Sequence, residues 1–151
     1  MARQTCTQQE MQERVMNELL KRNQRNDINQ MMTVHYVNCN AAEGTLELSH
    51  QMADWEINIM NTMHGGLISF LMDANMAIAS RAYTGDSMTP TLDMSIQFLR
   101  AVKAGAEVHT KATITHVGRS IINLNAVLWS DNPAQPCATA SGTFFRASSK
   151  H

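Results

Sequence analysis

From Gly65 to about Tyr83 the chain runs Gly-Gly-Leu-Ile-Ser-Phe-Leu-Met-Asp-Ala-Asn-Met-Ala-Ile-Ala-Ser-Arg-Ala-Tyr, with no proline. No other feature restricts the fold as strongly. A helix of this composition is hydrophobic nearly all round, so other elements have to enclose it. Its one carboxylate is Asp73. An ionised carboxylate seldom stays buried without a partner, because leaving water is expensive. Asp73 therefore needs a reason to be there, and chemistry is the readiest one.

The enclosing elements are written downstream. Leu92, Met94, Ile96 and Phe98 alternate with Asp93, Ser95 and Gln97, and a period of two predicts a strand over 91–99 with one face covered. Val108, Thr110, Ala112 and Ile114 repeat the pattern, then Ile122, Leu124, Ala126 and Leu128, and residues 137–146 make a last strand. Ala104-Gly105, Val117-Gly118 and the proline-bearing stretch 132–136 are the turns between them. Upstream, 31–40 and 44–49 read as two strands about a turn, followed by an irregular stretch over 51–63. One long apolar helix with strands covered on one face predicts an α+β fold. In it a curved antiparallel sheet, continuing as a meander, wraps a single central helix.

Ahead of this unit, Thr7-Gln-Gln-Glu10 reads as a capping box. Apolar residues follow at Met11, Val15, Met16, Leu19 and Leu20, predicting an amphipathic helix that ends near 21–27. It is expected to pack across the outside of the domain or against a neighbouring subunit. The chain thus divides into a helical extension, 1–30, and one domain, 31–148.

Charged residues are 17% of the chain and the net charge is −1, which provides no basic field for nucleic acid and no polybasic patch for anionic lipid. No run approaches the roughly 18 apolar residues that span a bilayer, and the first residues lack the apolar core of a secretory signal. Cys6, Cys39 and Cys137 are too few and too scattered for a disulfide framework or a CxxC site. The expectation is a cytoplasmic protein whose partners are small molecules or copies of itself. The six histidines at 35, 50, 64, 109, 116 and 151 show no close ligand spacing, so no metal is expected. No G-x-S-x-G elbow marks a serine hydrolase.

Several elements stand together: Asn58-x5-His64-Gly65-Gly66-x6-Asp73, Thr91-x-Asp93-x-Ser95-Ile-x-Phe98-Leu-Arg100-x4-Gly105, Gly118-Arg119 and Ala140-x-Gly142-Thr143. This set resembles the PaaI-type acyl-CoA thioesterases of the hotdog superfamily over roughly residues 44–146. The resemblance implies the hotdog fold, a helix wrapped in a curved sheet. It implies homodimers or homotetramers with active sites shared at the dimer interface. The implied reaction is hydrolysis of an acyl-CoA to free acid and CoA, with no cofactor beyond the coenzyme A of the substrate itself.

Each residue has a physical part in that reading. Backbone N–H groups at a helix start lack intrahelical partners and meet the positive end of the helix dipole, and glycines leave them open to a thioester. The resemblance assigns the oxyanion contact to the Gly65 N–H, with Gly66 beside it. It assigns the nucleophile or general base to Asp73, acting from the partner subunit. The bland alternative is a buried Asp73 satisfied by Ser69, one turn earlier, or by a helix end. His64 and Asn58 would position the carbonyl and order the first turn, and Thr91 stands where relatives carry a hydroxyl beside the aspartate. Arg100, Arg119 and Ser120 are candidates for the phosphates of CoA. Met60 and Met63 are candidates for lining an acyl pocket. Asn61 replaces a glycine frequent in relatives, and it tolerates left-handed backbone better than most residues. Two rival functions remain: a hotdog hydroxyacyl-thioester dehydratase, and a non-enzymatic acyl-CoA binder or sensor.

Overall fold

The structure is a computed structural model that describes residues 5–147. Residues 1–4 and 148–151, with His151 and the last residue of the expected domain, lie outside the described residues. Three helices and six strands follow one another: α1 (Gln8–Asn23), α2 (Ile28–Met31), β1 (His35–Asn40), β2 (Thr45–Gln51), α3 (Gly65–Thr84), β3 (Thr91–Phe98), β4 (Glu107–Val117), β5 (Ile121–Trp129) and β6 (Ala138–Phe145). A single 3-10 turn, Asp54–Glu56, interrupts the stretch between β2 and α3.

The strands form one antiparallel sheet in the order β1-β2-β4-β5-β6-β3, and α3 lies across its inner face. The helix begins where His64 caps it and ends where Gly85, at φ 74°, adopts a left-handed conformation that other residues enter at a cost. Leu71, Met72, Met76 and Ile78 are at most 1% exposed, and burying each such side chain is worth about 1.5–3 kcal/mol. They belong to one core with Val108, Ala112 and Ile114 of β4, Ile122, Leu124 and Leu128 of β5, and Phe144 of β6. Asn75 ties the helix to the sheet. Its Nδ2 donates to Thr110 O and Oγ1, both at 2.8 Å, and to Leu46 O at 3.3 Å. This is the hotdog arrangement, a long helix held inside a curved sheet.

The capping box is formed as the sequence predicts. Thr7 Oγ1 accepts from Glu10 N–H, and the Glu10 carboxylate accepts from Thr7 N–H. The buried stripe of α1 is narrower than expected: Met11, Val15 and Leu19 face inward, whereas Met16 and Leu20 are 48% and 60% exposed. The helix packs on α3 and β1, and Met16 and Leu20 stay open to solvent outside that contact. Three further expectations are corrected. The strand expected from Met31 starts at His35, because Asp27 accepts from Asn29 N–H and winds Ile28–Met31 into a short helix. Strands β3 to β6 are no simple meander, since β3 lies beyond β6 at the sheet edge. There the two ends of its predicted covered face are open, with Leu92 58% and Phe98 56% exposed, while Met94 and Ile96 between them are half-buried against the core. Finally, α3 is not enclosed all round. Leu67, Phe70, Asp73, Ala77 and Arg81 are half-buried along a side that the sheet does not cover.

Candidate active site

The entry to α3 is built from a loop pinned at its base by a buried pair. Glu56 is fully buried and His50 is 3% exposed. His50 Nδ1 lies 2.7 Å from Thr33 O, and a carbonyl can only accept, so this nitrogen carries a hydrogen. His50 Nε2 meets the Glu56 carboxylate at 2.9 and 3.1 Å. That contact is therefore either an imidazolium facing a carboxylate or a carboxylic acid donating to a neutral ring. Glu56 Oε1 also accepts from Ala53 N–H at 3.1 Å, and Glu56 O accepts from His64 N–H at 2.9 Å. The pair thus fixes the residue that caps α3.

Asn58 organises the tip of the same loop. Its Oδ1 accepts from Met60 N–H at 2.9 Å and from the N–H and hydroxyl of Thr62, each at 3.2 Å. Asn61 closes the turn at φ 58°, the one non-glycine residue with positive φ among those described. The left-handed backbone expected of Asn61 is present.

His64 Nδ1 accepts from Gly66 N–H at 3.0 Å, and His64 O accepts from the N–H groups of Leu67 and Ile68. The Gly65 N–H is the remaining donor of this first turn, with no protein acceptor among the described residues. Gly65 opens into a cleft of about 310 Å³ whose lining includes Asn58, Met60, Met63, Phe98, Leu99 and Arg100. Phe98 closes one side so tightly that a Cβ on Gly65 would stand 3.3 Å from its ring.

Asp73 lies elsewhere. It is eight residues further along α3, about 12 Å at the rise of a helix, and it does not line that cleft. It is half-buried, so the expectation of a fully buried carboxylate is corrected; the open side of α3 leaves it reachable. Thr91 Oγ1 donates to Asp73 Oδ1 at 2.7 Å, joining two residues that the sequence singled out. Ser69 donates to Gly65 O at 2.8 Å, so the hydroxyl that Asp73 meets in its own chain is that of Thr91 and not that of Ser69.

The predicted residues therefore gather in two places. Asn58, His64, Gly65, Gly66 and Arg100 stand around the head of α3, and Asp73 with Thr91 stands two turns away. Arg100 lines the cleft, but its Nη1 donates to Pro136 O at 2.9 Å. Arg119 and Ser120 lie away from the Gly65 cleft. They form the exposed β4–β5 turn, at the end of the sheet where β3 begins with Thr91: Arg146 N–H donates to Ser120 O and Phe145 N–H to Pro90 O. Met60 and Met63 do line the cleft. Sequence reasoning missed His50 and Glu56, whose signal was only a histidine and a glutamate six residues apart. It also passed over Phe98 as a wall of the site, although Phe98 stood within a quoted motif.

Comparison with known proteins gives the family and the fold. The family model of the thioesterase superfamily matches residues 60–137. An uncharacterized acyl-CoA thioester hydrolase, BU274 of Buchnera aphidicola, is 32% identical over 73 residues, 48% of this chain and 54% of that protein. The match thus spans about half the length of this curated relative. Among solved structures, the E. coli PaaI protein from the phenylacetic acid degradation operon superposes with a TM-score of 0.78 at 16% identity, covering 93% of this chain and 98% of that one. The smu.793 protein of Streptococcus mutans, solved bound to acetyl CoA, superposes with a TM-score of 0.71 at 22% identity, covering 85% and 100%.

Proposed function

The chain belongs to the thioesterase superfamily, and we propose that it hydrolyses an acyl-CoA thioester to a free acid and CoA. The observation that carries this reading is the Gly65 N–H, without an acceptor among the described residues, at the positive end of a 20-residue helix and facing a largely apolar cleft. A thioester carbonyl placed there has its developing negative charge met by a fixed donor and by the helix dipole. Apolar Met60, Met63, Ile68 and Phe98 suit the acyl chain beside it. An acyl-CoA is also what the name of the Buchnera relative specifies, and a CoA ester occupies the Streptococcus neighbour.

In this account Asp73 supplies the second half. As general base it takes a proton from water while the water oxygen bonds to the carbonyl carbon. As nucleophile it bonds to that carbon itself, and water later opens the anhydride. In both routes the carbon–sulfur bond breaks, the thiolate leaves and takes up a proton, and the acid is released. Thr91 orients the carboxylate through its 2.7 Å bond. The route draws on no metal or organic cofactor.

The 12 Å between Gly65 and Asp73 within one chain is too long for both to reach one carbonyl. A second copy is therefore part of the proposal, its Asp73 facing the first copy's Gly65. Its proposed docking face takes in the exposed apolar residues Ile59 and Met60 at the loop tip, and Leu92, Phe98 and Leu99 along and just past edge strand β3. Edge strands and apolar patches left open in this way invite pairing. We place the protein in the cytoplasm; no helix is long and apolar enough to cross a membrane among the described residues. The test is a thiol-release screen of the full chain with short, medium, long and aryl acyl-CoAs. Turnover of at least one class is expected. Tight binding of CoA esters without thiol release across the panel would make the protein a sensor instead.

A further inference from the structure

Four of the chain's twelve lysines and arginines line one cleft remote from the Gly65 pocket. This cleft, of about 400 Å³, lies between the end of α1 and the last turns of α3, and Lys21, Arg22, Arg25 and Arg81 face it with Glu18, Asn29 and Ser87. Glu18 is paired with Arg81, and Asp27, just outside, is paired with Arg25 at 2.6 Å. Counting these two carboxylates, an excess of two positive charges remains on a protein whose formal charge is −1.

Arg22 is the unusual member. Its guanidinium lies over the Phe70 ring, 5.4 Å from the centroid. Its Nε and Nη2 are shielded from solvent and have no hydrogen-bond acceptor among the described residues. Burial and the neighbouring Arg81 charge both push its pKa down from the ordinary arginine value, yet arginine stays charged in proteins. A buried guanidinium without acceptors is costly, and structures normally satisfy such groups. Those two nitrogens are closed to a ligand from solvent; an oxyanion in the cleft that Arg22 lines meets the rest of the guanidinium, whose planar geometry and charge suit phosphoryl oxygens.

The cleft is also placed to serve the proposed reaction. Arg81 stands eight residues beyond Asp73 on α3, about 12 Å along the axis. Arg22 stands nearer, over Phe70 and within reach of the Asp73 charge, so the cleft runs from beside Asp73 to Arg81, and a pantetheine arm leaving a thioester at Asp73 follows it toward Arg81.

We infer that Lys21, Arg22, Arg25 and Arg81 form a phosphate-binding site, contributed jointly by the N-terminal helix and α3, that takes the phosphates of the CoA portion of the substrate. This rests on the acyl-CoA reading, and it gives the N-terminal extension a function in substrate binding. It also replaces Arg119 and Ser120 as the expected phosphate contacts.

The test is calorimetric titration of the full chain with CoA, pantetheine and inorganic pyrophosphate, for the wild type, Arg22→Gln and Lys21→Gln. Loss of a charge-assisted contact should weaken CoA by about tenfold or more in Arg22→Gln. Lys21→Gln, at an exposed position, should weaken it by a smaller factor and guards against a folding defect at Arg22. Pantetheine, lacking the phosphates, should bind all three proteins alike, and pyrophosphate should bind the wild type in competition with CoA. Equal CoA affinity in the wild type and both variants would overturn the assignment. So would pyrophosphate binding that depends on Arg22 while CoA does not compete for it. Thiol release by the wild type is scored separately. Turnover without any dependence of CoA affinity on Arg22 defeats this site alone. Arg22-dependent CoA binding without turnover defeats the hydrolase reading and leaves the site standing.

Discussion

Glu56→Ala isolates the claim that a buried pair holds the head of α3 in place. The carboxylate accepts from Ala53 N–H at 3.1 Å and contacts His50 Nε2 at 2.9 Å. Removing it leaves His50, 3% exposed, with a buried ring nitrogen facing an empty space. Deleting one member of a buried pair costs about 3–5 kcal/mol, most of it the desolvation of the abandoned partner. For a chain of 151 residues each kcal/mol lowers Tm by about 2–4 °C, so a drop on the order of 10 °C is expected. Glu56→Gln keeps an acceptor and donors of nearly the same shape and should lose less than half as much. Calorimetry gives the two melting temperatures, and urea titration gives the free energies. The functional corollary is that Glu56→Ala, assayed well below its own Tm, has a lower kcat for thiol release, because His64 has lost a fixed anchor at Glu56 O. A Tm within 1–2 °C of wild type, against the drop worked from the cost per kcal/mol, would show that the pair is not structural and refute the reasoning.

Three further substitutions probe separate parts of the account. Gly65→Ala places a methyl 3.3 Å from the Phe98 ring; displacing the ring or the turn by a fraction of an ångström should lower kcat/KM about 10²-fold, with little change in helix content by circular dichroism. Gly142→Ala puts a Cβ 2.9 Å from Phe144 and 3.2 Å from Met76; overpacking between β6 and α3 should destabilise the fold by about 1–3 kcal/mol in urea, and an unchanged midpoint would contradict the packing described. At Asn61, with φ 58°, Asn61→Ala should cost about 1–2 kcal/mol while Asn61→Gly is close to neutral. Equal stability of those two variants would mean that the turn relaxes out of the left-handed region.

Much of this molecule was legible in its sequence because the signals were local. Alternation at Val108 to Ile114 and at Ile122 to Leu128 marked strands whose inner faces are indeed buried, and the Thr7–Glu10 capping box was visible as a four-residue pattern. Asn61 announced a left-handed turn through its residue type alone. What escaped was whatever depends on sheet order. The alternation of β3 looks like that of β4, but β3 lies at the edge, so Leu92 and Phe98 near its two ends stay exposed. Burial of Glu56 was hidden for a related reason. Nothing local distinguishes a loop glutamate in water from one folded back onto a histidine at the end of β2. The site was legible in residue type and obscure in arrangement. Asp73 and Thr91 were both singled out, yet their 2.7 Å contact joins positions 18 residues apart. The separation of Asp73 from Gly65 followed from helical rise as soon as both were placed on α3. For Arg119, the motif gave its neighbours in sequence and not its place in the sheet, the exposed turn between β4 and β5.

The central claim is that Asp73 of one copy and Gly65 of another complete one hydrolytic site. Its most direct test mixes two inactive variants, Asp73→Asn and Gly65→Val, after checking that each assembles as the wild type does. Asp73→Asn keeps the size and an oxygen for Thr91 but removes the base, and alone it should lose about 10²-fold or more in thiol release. Gly65→Val alone should be similarly impaired by blocking the carbonyl's approach. Co-assembled, they generate interfaces in which one site has both defects and the other has neither, so activity should return toward half that of wild type in each mixed dimer. No recovery on mixing, or an Asp73→Asn protein as fast as wild type, would contradict the account.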